Sequence, residues 1–182
     1  MSIYKFRILI EEESEDNIFR DIEIRSTQNF EEFHQIILTS FGFDNSQMAS
    51  FYVSDDNWNK GQEIALFDMN IGEEGELVLT MSETNINSQV NCVGQHLIYT
   101  YDFLNMWNFY IELIEISVKE KEISYPHITH VQGKAPSQNS RNNELSHDEI
   151  ANELMDAEEN VTDDDLFSDD MFEDFDDFEN YE

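Results

Sequence analysis

Residues 97–116, LIYTYDFLNMWNFYIELIEI, alternate large apolar side chains with polar ones. The odd positions carry Leu97, Tyr99, Tyr101, Phe103, Trp107, Phe109, Ile111 and Leu113. The even ones carry Thr100, Asp102, Asn108 and Glu112, mixed with Ile98 and Tyr110. Successive side chains of a strand point to opposite faces, so the odd set forms one apolar face. A helix would need apolar residues three and four apart, and pairs at a period of two fit it poorly. A turn at Leu104, Asn105 and Met106 keeps the parity and folds the run into a hairpin. It would oppose Phe103 to Trp107, Asp102 to Asn108 and Thr100 to Tyr110. The turn holds no Gly, which leaves its type open. The run predicts two adjacent core strands.

The remaining elements follow from the same periodicities. Residues 3–10 place Tyr4, Phe6, Ile8 and Ile10 on one face and Lys5 and Arg7 on the other. After an acidic loop at 11–17, residues 18–25 set Ile18, Ile22 and Ile24 against Asp21 and Glu23. The two segments predict a hairpin with a solvated tip. Asn29 with Glu32 three residues on is a capping box, and Gly42 is a C-terminal stop. Between them Phe30, Phe33, Ile37 and Phe41 fall on one helical face. A strand is expected at 51–53, further strands within 62–69 and 76–81, and a short helix near 86–90. Strand, strand, helix and strand predict an α+β fold with a β-grasp-like start, extended by further antiparallel strands. The stretch 124–140, with Pro126, Gly133 and Pro136, reads as a loop or wrap.

Charge divides the chain. It carries 41 acidic and 9 basic side chains, a net charge of −32, and no Lys or Arg follows Arg141. The 18 acids of residues 144–182 leave 23 acidic against 9 basic upstream. Proteins that bind nucleic acid neutralise phosphates with Lys and Arg, so direct DNA or RNA contact is not expected. The tail's high charge and low complexity predict disorder, and the boundary is placed near residue 137. Its aromatics recur among acids at Phe172, Phe175, Phe178 and Tyr181, with Leu166, Phe167 and Met171 just before. Such a segment stays soluble by charge and can fold its apolar side into a basic or hydrophobic groove of a protein partner. A generic solubilising tail and a nucleic-acid mimic are the competing readings. The N-terminal MSIYKFRILIEEE has no long apolar core, and no stretch approaches the ~20 apolar residues of a membrane span. With the lone Cys92 excluding an internal disulfide, a cytoplasmic protein is the default expectation.

Several segments together resemble the plasmid pRiA4b ORF-3-like family, which includes proteins described as passengers of insertion elements. They are Phe19, Arg20 and Ile22; Phe33, His34 and Ile37; Phe41, Gly42 and Phe43; and Phe51. Further on come Tyr101, Asp102, Phe103, Trp107, Ile111 and Leu113, then Tyr125, Pro126, Gly133, Ala135 and Pro136. The resemblance spans residues 3–138 and implies a domain at 1–137, with an acidic tail at 138–182. Most polar positions of the family pattern differ here. Its two histidines after the helix are Gln47 and Ala49. Its Gly-Asp turn is Leu104 and Asn105, its histidine after the tryptophan is Phe109, and its cysteine after Tyr-Pro is Ile128. The Pro-Glu-Asp ending is Pro136, Ser137 and Gln138. The combination resembles a diverged subgroup of the kind found in Bacteroidetes-type genomes.

Two residues stand as candidates for chemistry. His34, flanked on its helix by Phe30, Ile37, Leu38 and Phe41, reads first as a satisfied core or rim histidine and second as a base or ligand. Asp102 reads first as the holder of a turn and second as a catalytic acid. An enzyme or nucleic-acid-processing accessory would have to use this pair in a cleft. His127, His130 and His147 lack a fixed geometry for a metal. The acids at 163–165 and 169–170 lack a calcium-loop pattern. Cys92 has no basic neighbour to make it nucleophilic. No cofactor or metal is expected. The leading expectation is a non-enzymatic protein-interaction module.

Overall fold

The computed structural model describes residues 1–12, 17–68, 79–118 and 122–141. Residues 142–182 lie outside the described residues, and with them the predicted disorder of the acidic tail and its aromatics Phe167, Met171, Phe172, Phe175, Phe178 and Tyr181.

The expected β-grasp-like α+β domain does not form. In chain order the elements are β1 (Ser2–Ile10), β2 (Phe19–Arg25), α1 (Phe30–Phe41), β3 (Ala49–Ser54), β4 (Lys60–Ala65), β5 (Leu79–Thr80), α2 (Ile86–Gln89), β6 (His96–Tyr101), β7 (Trp107–Val118) and β8 (His127–Gln132). The eight strands lie in one mixed sheet ordered β5-β4-β3-β6-β7-β1-β2-β8. Only the β4–β5 pair is parallel among the described strands. Sheet dominates, and α1 is the one long helix among the described residues. Strand–strand–helix–strand is an opening common to several folds. Periodicity assigns a residue to a face but says nothing of which strand lies beside it. Here β1 pairs along its length with the distant β7, from Ser2 opposite Val118 to Ile10 opposite Phe109.

The local signals hold. Asn29 Oδ1 accepts from the Glu32 amide at 2.9 Å, and Glu32 Oε2 accepts from the Asn29 amide at 3.2 Å. At the other end Gly42 takes φ 75°, a left-handed turn that a side chain would strain. The helix buries Phe30, Phe33, His34, Ile37, Leu38 and Phe41 against the sheet. Large rings fill that layer. Phe33 sits 4.8 Å from Phe6 of β1 and 5.5 Å from Phe51 of β3, centroid to centroid. Phe51 is 4.6 Å from Tyr99 of β6, Tyr99 is 5.4 Å from Phe109 of β7, and Phe109 is 5.0 Å from Phe41.

The β6–β7 hairpin closes earlier than the turn at 104–106 implied. Tyr101 faces Trp107 and Thr100 faces Asn108, so the register differs by two and the loop spans 102–106. A shift of two preserves faces, and Leu97, Tyr99, Tyr101, Trp107, Phe109, Ile111 and Leu113 are all fully buried. Phe103 falls in the loop instead and is 40% exposed. Asp102 and Met106 both take positive φ there, at 56° and 50°. A second difference is β8, an edge strand formed where a loop was expected. Its residues are half-buried or exposed throughout, so no alternation betrays it.

The aromatic layer predicts a sharp contrast by urea denaturation. Phe33→Ala should cost about 3–5 kcal/mol through the cavity it leaves. Leu104→Ala, at a side chain 92% exposed, should stay within about 0.5 kcal/mol. A Phe33→Ala cost below about 1 kcal/mol would contradict this packing.

Candidate functional site

His34 projects from α1 into the core and has no solvent-exposed surface. Its Nε2 lies 2.7 Å from Asn45 Oδ1, an acceptor, so Nε2 carries the proton. Nδ1 then accepts from the Tyr99 hydroxyl at 2.7 Å. Burial holds the Tyr99 phenol well above its ordinary range, which keeps it a donor, and burial pushes the His34 pKa down. The imidazole is neutral, and both nitrogens are bonded to protein.

Asp102 is buried at the end of β6. Its Oδ1 accepts from the amides of Leu104 at 3.1 Å and Asn105 at 3.3 Å, and its Oδ2 from Asn105 Nδ2 at 2.6 Å. That is an Asx-type turn, in which the carboxylate stands in for a backbone acceptor. His34 and Asp102 each bond elsewhere, and no hydrogen bond joins them.

Beside this loop the segment after Ser137 packs back on the domain. Asp44 Oδ1 accepts from Ser46 Oγ at 2.6 Å, Gln138 Nε2 at 2.9 Å, the Ser46 amide at 3.1 Å and the Tyr101 hydroxyl at 3.0 Å. Donation by Ser46 and Gln138 holds its carboxyl at about 2. Gln138 O accepts from Trp107 Nε1 at 3.1 Å. Arg141 lies 3.9 Å over the Trp107 ring and donates to the carbonyls of Asn105, Met106 and Glu11.

Arg20 was visible in sequence only as part of the family resemblance. It is buried, stacked 4.6 Å over Phe41, and donates to the carbonyls of Ser40, Phe19 and Gln132 at 2.9, 2.8 and 2.7 Å. It brings a positive charge to the C-terminal end of α1, whose last turn has no basic residue of its own. Burial lowers its pKa.

The histidines of β8 do not gather. His127 Nε2 lies 3.6 Å from Glu23 Oε2, and His130 stacks on Phe19 at 5.4 Å. His147 and the acids at 163–165 and 169–170 are outside the described residues. Cys92 is exposed. Among the described residues, no group of three or more His, Cys, Asp or Glu side chains is placed to hold a metal.

The side of the sheet away from α1 carries an open groove of about 260 Å³. Arg7 and Leu9 of β1, Phe19 of β2, Tyr110 and Glu112 of β7, Asn17, and Trp58 of the β3–β4 loop line it. Arg7 is held in a fork by Asp21, Nε to Oδ1 at 2.8 Å and Nη2 to Oδ2 at 2.9 Å, and lies 4.4 Å over the Phe19 ring. Trp58 stacks on His96 at 4.2 Å and meets Tyr110 edge-on at 5.0 Å. Its backbone has φ 62°, and the Asp55 carboxylate fixes the loop by accepting from the amides of Asn57 and Asn59, each at 2.9 Å. Gly61 lets the returning strand pass close, since a Cβ there would sit 2.8 Å from the Val53 carbonyl oxygen. The Tyr110 hydroxyl donates to Glu11 Oε1 at 3.0 Å. Sequence reasoning did not assemble this groove. Two signals were present, a tryptophan inside the polar stretch DDNWNK and Tyr110 at a position of polar parity.

Comparison with known proteins agrees with the resemblance. The sequence model of the plasmid pRiA4b ORF-3-like protein family matches residues 2–178, which takes in most of the acidic tail. The crystal structure of a protein of unknown function, MM3350 from Methanosarcina mazei Go1, is similar with a TM-score of 0.59 and 18% identity. The likeness covers 71% of this chain and 69% of that one, and at this identity it speaks for the fold alone. No curated protein matches. No helix among the described residues is long and apolar enough to cross a membrane.

The sealed His34 has a pH signature. The unfolded chain takes up a proton near 6.5 that the folded chain accepts only at lower pH. Stability from this group is therefore complete above that value and is lost as pH falls through the window below it, by at most about 1.4 kcal/mol per unit. His34→Gln removes the component. Urea midpoints of wild type and variant should converge as pH drops from about 7.5 to about 5. A gap that stays constant would contradict a neutral, buried imidazole.

Proposed function

We propose a binding role for this chain, which belongs to the plasmid pRiA4b ORF-3-like family: a non-enzymatic protein-interaction module that works in the cytoplasm. The observation that carries the reading is how the domain spends its polar groups. His34, Asp102, Asp44 and Arg20, the groups best suited to chemistry, are committed to internal hydrogen bonds. What the groove on the open face displays instead is aromatic surface, from Phe19, Trp58 and Tyr110.

The tail extends the same role. Phe167, Met171, Phe172, Phe175, Phe178 and Tyr181, set among carboxylates, would dock in a basic or hydrophobic groove of a protein partner. The net charge of −32 disfavours direct contact with DNA or RNA. The role as proposed calls on no cofactor or metal.

The test is a pull-down comparing the full chain with a truncation after Asn160. The truncated protein should lose at least one partner that the full chain retains. Identical partner sets for the two would sink the docking tail.

A further inference from the structure

We infer that the groove on the open sheet face receives a cationic side chain, a lysine ammonium or arginine guanidinium presented by a basic segment of a partner protein. The inference rests on the protein-interaction reading and names the chemistry of one of its surfaces.

Three features of the groove select a cation. Its walls are aromatic: Phe19 is already packed by Arg7 and His130 and one side of Trp58 by His96, which leaves Tyr110 and the rest of Trp58 to attract a positive group. One of these walls already serves that purpose within the chain, since the Arg7 guanidinium lies 4.4 Å over Phe19. Its carboxylates add to the attraction. Glu112 lines the groove, and Glu11 Oε1 accepts a hydrogen bond from the Tyr110 hydroxyl at 3.0 Å, which leaves more electron density on that ring.

Arg7 is the one cation among the described residues lining the groove, and it does not oppose a second. Its charge is matched by Asp21 in a two-bond ion pair at 2.8 and 2.9 Å. The lining then presents one further carboxylate, Glu112, across from Arg7 on the paired strand. In a chain of net charge −32 an anionic ligand would be repelled, whereas a basic segment would be drawn in. The volume of about 260 Å³ is enough for one long side chain.

The test uses the full-length, nitrogen-labelled protein and two small probes of nearly the same shape, N-acetyl-arginine amide and N-acetyl-citrulline amide. The indole N–H resonance of Trp58 is followed, with that of Trp107 as the internal control. The arginine probe should shift Trp58 saturably and leave Trp107 in place, while the uncharged citrulline probe has little effect. Glu112→Gln and Trp58→Leu, the latter followed through the Tyr110 ring signals, should each weaken binding about 3-fold or more. Equal shifts by both probes would overturn the cation preference, as would an arginine effect unchanged in both variants. The titration needs no partner. A flat Trp58 response removes the groove's role while the pull-down result stands, and a failed pull-down leaves this measurement intact.

Discussion

A single long helix has to cover one face of an eight-stranded sheet, and the rest of the structure follows from how that is done. At about 1.5 Å per residue a 12-residue helix is roughly 18 Å long and about 10 Å wide. Eight strands at about 4.8 Å spacing present a surface nearly 40 Å across. Aliphatic side chains under such a helix would reach only the strands directly beneath it. Rings bridge the gap, so that Phe33, Phe41 and Phe30 connect α1 to Phe6, Phe51 and Phe109 on three different strands. Arg20 and the segment carrying Gln138 and Arg141 close the margins by hydrogen bonds to backbone carbonyls and to Trp107. Among the described residues the helix lies on one face, and the opposite face carries loops and the groove.

The faces of the strands were legible from alternation alone, because a period of two is a property of the backbone itself. Neighbours were not. β1 meets β7 across more than a hundred residues of chain, and no local signal encodes that pairing. The hairpin register slipped by two in the reading because Asp102 captures the amides of Leu104 and Asn105 and turns the chain early. An even slip moves no side chain to the other face, which is why the core residues were named rightly while Phe103 was not. β8 escaped notice for the opposite reason, as an edge strand with little to bury on either side.

The candidate site divides in the same way. The burial of His34 could be read from its place among Phe30, Ile37 and Phe41 on one helical face. The groove could not, since its walls come from β1, β2, β7 and a loop that only the folded sheet brings together. Three of the positions where the family pattern carries polar groups are packed here, while Leu104 and Gln47 stand exposed. Phe109, in place of a histidine, packs against Phe41, Phe43 and Tyr99. Ala49, also in place of a histidine, is buried, and Ile128, in place of a cysteine, packs against the core from β8. Apolar packing has taken over the helix side, and the groove lies on the other.

The two faces of the sheet are therefore asymmetric, and the two tryptophans report it without any mutation. Trp107 is sealed on the helix side, its indole N–H donating to Gln138 O at 3.1 Å, while Trp58 stands half-buried at the open groove. Deuterium exchange of the two indole N–H groups in the full-length protein compares them directly. The Trp58 proton should exchange quickly, and the Trp107 proton should persist at least 100-fold longer, on the order expected for a group that exchanges only when the structure opens. Equal rates, or slower exchange at Trp58, would contradict a closed helix side and an open groove on the other.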